Sequence, residues 1–159
     1  MTEGSNIKSY LDNNTGDVNL VNLPCHTQDN GEVIVIEGLV NEMFAIARVF
    51  MVSASEGSIR GQHAHKLCSQ FLICTSGSIE VVVTDGSTSG SFELNHPNIG
   101  LYIPPGIWAK QQYQTNDARL TVLCDRIYES EDYIHGYYEF LNYRKRLVDL
   151  KNSRATGEV

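Results

Sequence analysis

The segment Gly57-Ser58-Ile59-Arg60-Gly61-Gln62-His63-Ala64-His65 leads into the apolar run Ser69 to Thr75, which contains Gln70, and past Gly77 into a second run, Ser78 to Thr84. Both runs are short, rich in β-branched and aromatic residues, and closed by turn formers, the pattern of β-strands. In an extended strand, residues two apart point to the same side, so His63 and His65 project from one face a few ångströms apart. Working outward, Val33 to Ile36 follows Asp29-Asn30-Gly31, and Phe44 to Val52 precedes the histidines. Ser91 to Leu94, Gly100 to Ile103 and Leu120 to Asp125 come after them. Asp85-Gly86 and Ser87 to Gly90 make a turn cluster, and Pro104-Pro105-Gly106 a tight turn. Runs that recur every 8–12 residues or so, with no helical stretch between them, indicate an antiparallel sandwich or barrel rather than βαβ units.

Alternation within Phe44 to Val52 puts Ile46, Arg48, Phe50 and Val52 on one face. An arginine on an otherwise apolar face needs a partner or a wet cavity, and a ligand-holding barrel supplies one. Near the end of the chain, Ser130-Glu131-Asp132 reads as a helix start, with acids suited to the N-terminal dipole. Tyr133, Tyr137, Phe140 and Leu141 follow at helical spacing, and Arg144-Lys145-Arg146 lie toward the end. This predicts one short C-terminal helix on an all-β domain. The domain is expected over residues 20–151, with flexible segments at 1–19 and 152–159.

The 159 residues suit a single domain with a core of its own. The net charge of -7 argues against binding duplex nucleic acid, although local arginines can still hold a diphosphate. No apolar run is long enough for a membrane span, and Met1 to Leu20 lacks the pattern of a secretory signal. Cys25, Cys68, Cys74 and Cys124 match no zinc or redox spacing and read as free thiols in the cytoplasm. His26, His96 and His135 are isolated and read as loop or surface residues.

The histidine pair carries the chemistry. Imidazoles titrate near neutrality, so they can take and return a proton, and they are also common metal ligands. Gly57, five residues, His63-x-His65, four residues, Gln70, six residues, Gly77 resembles the first motif of the cupin superfamily of small β-barrels. Pro104-Pro105-Gly106-Ile107-Trp108-Ala109 resembles the second. Metal-binding cupins carry Glu at the place of Gln70 and His at the place of Ala109. An amide oxygen is a weak donor and a methyl group none, so no functional metal is expected.

A narrower resemblance rests on Arg60-Gly-Gln-His-Ala-His-Lys66, Gly100-Leu-Tyr-Ile-Pro-Pro-Gly-Ile-Trp108 and Asp132-Tyr-Ile134 occurring in order. Together these are similar to the WxcM/FdtA family of nucleotide-sugar 3,4-ketoisomerases, over about residues 25 to 143. The resemblance implies a cupin-type jelly roll that is metal-free, cofactor-free, cytoplasmic and dimeric. It implies conversion of dTDP-4-keto-6-deoxyglucose to a 3-keto sugar for deoxyamino-sugar and surface-polysaccharide synthesis. It places His63 and His65 in the acid/base role, with Arg48, Arg60, Gln70 and Trp108 near the ligand. His65 is assigned as the main proton shuttle, and His63 orients substrate or moves the hydroxyl proton.

Three positions depart from the family pattern. Asn30 stands where relatives carry Arg, Phe50 where they carry Tyr, and Ala109 where a large polar residue follows the Trp. The positions of Asn30 and Ala109 tend to line the sugar pocket and Phe50 deletes a hydroxyl, so the changes bear on the product's C4 configuration and on the sugar accepted. Two other readings stay open: a metal-free 3,5-epimerase of a 4-keto nucleotide sugar, and a non-catalytic nucleotide-sugar-binding cupin.

Overall fold

The structure is a computed structural model that describes residues 17–37 and 45–156. Most of the expected N-terminal flexible segment, the start of the Phe44 run and the end of the tail lie outside the described residues.

The strands are β1 (Asn19–Asn22), β2 (Cys25–Gln28), β3 (Gly31–Ile34), β4 (Arg48–Ser53), β5 (Ile59–His65), β6 (Gln70–Ser76), β7 (Ile79–Thr84), β8 (Ser89–Leu94), β9 (Ile99–Ile103), β10 (Trp108–Tyr113), β11 (Arg119–Cys124) and β12 (Tyr133–Ile134). One five-stranded sheet runs β1-β9-β6-β11-β4, the other β12-β5-β10-β7-β8, and β2-β3 form a separate hairpin. Every pairing is antiparallel. The expected antiparallel jelly roll is what the chain forms.

Alternation explains how the two sheets bury one another. On β6, Leu72 and Cys74 point into the space between the sheets, where they meet Val81 and Val83 of β7, Leu101 of β9 and Val122 of β11. The opposite face of β6 is also covered: Phe71 and Ile73 pack with Val21, Leu23 and Leu123. Burial on both faces is why this run reads as continuously apolar rather than alternating. Phe71 lies across Gly100, where any Cβ would overlap its ring.

The helix differs from its expected position. Ser130–Asp132 is a single 3₁₀ turn, and Tyr133–Ile134 then pairs with β5. The α-helix α1 spans Tyr137–Thr156, beginning later and running further than the sequence pattern suggested. The reason lies in the Asp132 carboxylate. It accepts from the Leu67 amide and the His65 ring, so it ties the turn to the sheet instead of starting a helix. α1 covers the outer face of the second sheet, where Phe140 packs with Ala64 and Ile134.

Candidate active site

The site is organised by an irregularity in β5. Ala109 on β10 pairs with His63, but the next residue, Lys110, pairs with Gly61, leaving Gln62 as an extra residue. Arg60 is three residues from His63, so in a regular strand the two would point to opposite faces. The bulge restores phase, and Arg60 and His63 line the same cavity. It also explains why Gly61 and Gln62 both have positive φ, 79° and 57°. A Cβ on Gly61 would lie 2.7 Å from Gln111 Oε1, so glycine answers both the backbone and the contact.

The cavity has a volume of about 170 Å³ and lies between the sheets, walled by Phe50, Val52, Leu120 and Val122 on one side and by His63, Arg60, Gln70, Gln111 and Tyr133 elsewhere. It is smaller than the ~300–1,000 Å³ that encloses a drug-sized ligand. Its size suits a single ring with the remainder of a larger ligand at the mouth.

His63 and His65 share a face, as expected, with ring centroids 5.0 Å apart in an edge-on arrangement. They occupy different depths. His63 lines the cavity, while His65 is buried behind it, its ring 4.3 Å from that of Tyr133. Burial lowers the pKa of His63 to about 4, and the nearby His65 and His135 rings add to the fall. The Gly61 backbone beside the ring opposes the shift without reversing it. His65 is also shifted down by burial, against the pull of Asp132. His65 Nδ1 lies 2.8 Å from Asp132 Oδ2, and Leu67 N donates to Asp132 Oδ1 at 2.6 Å. Although burial opposes it, these hydrogen bonds keep the Asp132 carboxyl below its ordinary range, so it is ionised. The network assigns the His65 proton to Nδ1 and leaves Nε2, which is buried and unpartnered, as the basic nitrogen.

Arg48 emerges from β4 beside this pair. Its guanidinium donates to Tyr133 Oη and to Cys124 Sγ, both at 3.5 Å, and lies over the rings of Phe50 and Tyr128. It has no carboxylate partner among the described residues. Gln70 Nε2 also reaches Cys124 Sγ, at 3.8 Å. The neighbouring Cys68 thiol and the Arg48 guanidinium together outweigh burial and draw Cys124 down to about 6. A ring nitrogen of His65, Sγ of Cys68 and an oxygen of the Asp132 carboxylate all lie within 4.8 Å of one another. Both oxygens of that carboxylate are already engaged by His65 and Leu67, so the cluster is built as a hydrogen-bonded turn.

Three expected ligand residues stand elsewhere. Trp108 pairs with Ala64, on the face opposite the histidines, and packs on Tyr137 and Phe140 of α1 rather than on the cavity. Ala109 points inward opposite His63 but is buried in the core without lining the cavity. Asn30 is exposed on the turn between β2 and β3. Conversely, Tyr133 and Gln111 line the cavity and Asp132 holds His65; Asp132 and Tyr133 stand out in the sequence only as part of a helix pattern and a family motif, and Gln111 not at all. His135, read as isolated, stacks on Tyr133 with centroids 5.5 Å apart. The Pro104-Pro105-Gly106 turn forms as expected, and the Gly106 amide donates to the His65 carbonyl at 2.7 Å.

This constellation can be set beside known proteins. Residues 16–145 match the family described as FdtA: WxcM-like, C-terminal. The chain is 33% identical over 125 residues to the TDP-4-oxo-6-deoxy-alpha-D-glucose-3,4-oxoisomerase of Aneurinibacillus thermoaerophilus, covering 78% of this chain and 90% of that protein. A 3,4-ketoisomerase from Helicobacter canadensis superposes with a TM-score of 0.77 at 35% identity, covering 81% of this chain and 98% of that one. QdtA, a sugar 3,4-ketoisomerase from Thermoanaerobacterium thermosaccharolyticum, superposes at 0.78 with 31% identity, covering 82% and 96%. With the inward-facing histidine pair and the matched span, these place the chain in the FdtA, WxcM-like family.

Proposed function

We propose that this protein is a sugar 3,4-ketoisomerase that moves the ketone of a dTDP-linked 4-keto-6-deoxyhexose from C4 to C3. The observation that carries this reading is a ring-sized cavity faced by the neutral imidazole of His63, with the Asp132-held imidazole of His65 behind it. The relatives support the substrate class: QdtA is described in complex with TDP, and a His→Asn variant of it in complex with TDP-4-keto-6-deoxyglucose.

The ketone at C4 acidifies the proton on C3. His63, whose imidazole lines the cavity, takes that proton and an enediolate forms. The Arg48 guanidinium and the Tyr133 hydroxyl stabilise the developing oxyanion. The enediolate oxygen at C4 gains a proton as the C3 hydroxyl loses one, and a proton is returned to carbon at C4. Protons are only rearranged, so the chemistry needs no redox cofactor. His65, tied to Asp132, is the second proton carrier. Arg60, at the exposed edge of the cavity, is suited to the diphosphate. The depths of the two imidazoles favour His63 over His65 as the group that meets carbon.

A homodimer belongs to this reading. On the outer face of β4, an edge strand, Val49 and Met51 are 50% and 78% exposed. A cytoplasmic setting also belongs to it, supported by four cysteines that stand as free thiols. Among the described residues no helix is long and apolar enough to cross a membrane.

The test is NMR of the product formed from dTDP-4-keto-6-deoxyglucose in D₂O. The expected product carries its ketone at C3 and solvent deuterium at C4. Deuterium at C5 alone would identify an epimerase instead, and tight dTDP binding with no exchange a non-catalytic binder. His63→Asn is expected to abolish exchange at C3, and His65→Asn to slow turnover while leaving some exchange. The opposite ranking returns the base role to His65.

A further inference from the structure

Gln111 sits midway along β10 on the face that looks into the cavity, opposite Arg60 and two residues from Ala109, the partner of His63. Only 8% of it is exposed. Its amide nitrogen and oxygen open onto the cavity rather than lying sealed in packed protein. Gln111 makes no side-chain hydrogen bond among the described residues, whereas Gln70, the other buried amide of the cavity, reaches Cys124 Sγ. The backbone is also shaped around it. Gly61, at the bulge, lacks the Cβ that would fall 2.7 Å from Gln111 Oε1 and 2.9 Å from Nε2. The fold thus makes room for an amide and leaves it facing an open space.

We propose that Gln111 is a specificity-determining residue that hydrogen-bonds the C2 hydroxyl of the hexose. This rests on the isomerase reading above. Two strand residues on one face are about 6–7 Å apart, roughly the width of a pyranose ring with its substituents. A ring whose C3 meets His63 therefore brings its neighbouring carbons toward Gln111. In a 4-keto-6-deoxyhexose, C3 and C4 react, C6 is a methyl and C5 carries only the ring oxygen and that methyl. The hydroxyl on C2 is the one free ring hydroxyl that does not take part, and an amide suits it because it can donate and accept at once. A site built to bond a hydroxyl discriminates against an analogue lacking it, since its own polar group is then left unpaired.

The test uses two unreactive probes, dTDP-6-deoxyglucose and dTDP-2,6-dideoxyglucose, with dTDP as the reference, in calorimetric titration of the full chain. Wild-type protein should bind the 2-hydroxy probe about tenfold more tightly than the 2-deoxy probe. Gln111→Leu should lose that discrimination while keeping its affinity for dTDP. Equal binding of both probes by the wild type overturns the proposal without depending on how any variant folds. Retained discrimination in Gln111→Leu overturns it as well, as does a wild type that binds neither probe. Discrimination that depends on Gln111, in a protein that produces no 3-keto sugar, supports this assignment and sinks the isomerase reading instead.

Discussion

At the scale of single residues, protonation is the controlling quantity. His63 has its pKa lowered to about 4 by burial, from an ordinary 6.5. An unfolded chain therefore binds a proton between those values that the folded chain refuses. The contribution to stability is complete above pH 6.5 and is lost as pH falls toward about 4, at a size of about 3 kcal/mol. Thermal melts at pH 7 and pH 5 should show this loss, and His63→Asn should flatten it. The same shift predicts that the acid limb of kcat/KM lies below pH 6.5, since His63 stays a free base to lower pH. Asp132 fixes the tautomer of His65, so Asp132→Asn should lower kcat by about 10²-fold or more with KM little changed. Steady-state kinetics alongside circular dichroism would separate this from a folding defect. His63 and His65 were legible in the sequence because a strand's two-residue period ties spacing to direction. Asp132 was not, because it lies 67 residues further along and meets His65 only when β12 joins the sheet edge.

At the scale of elements, the β5 bulge decides which side chains share the cavity. Gly61→Ala forces an alanine into a left-handed conformation and against Gln111, so it should cost about 1–2 kcal/mol in urea denaturation. It should also weaken nucleotide binding by disturbing Arg60. Strands with one or both faces in the core were readable from their apolar runs. β10 was not. Its inward positions are Ala109, Gln111 and Tyr113, and a glutamine facing the cavity interrupts the alternation that marks a half-buried strand. The helix begins later than its sequence pattern predicts for a related reason: Ser130-Glu131-Asp132 has the composition of a helix start, but the Asp132 carboxylate is taken by tertiary partners.

At the scale of the molecule, the exposed apolar side chains of β4 lie directly behind the cavity. Val49 and Met51 alternate with Arg48 and Phe50, so one short strand presents the ligand site inward and a candidate dimer face outward. Light scattering coupled to size exclusion should report the mass of two chains, and Met51→Lys should shift it toward one. A wild-type mass of a single chain would remove the dimer from the reading.

The sequence by itself determined that this chain would be an antiparallel β-barrel and that His63 and His65 would share a face. Both follow from local rules, the recurrence of short apolar runs and the two-residue period of a strand. The tertiary structure alone decided which imidazole reaches the cavity, which carboxylate holds the other, and that Trp108 packs on the helix while Gln111 looks inward. Those outcomes depend on strand register and on one inserted residue, and register is settled only when distant segments of the chain pack together.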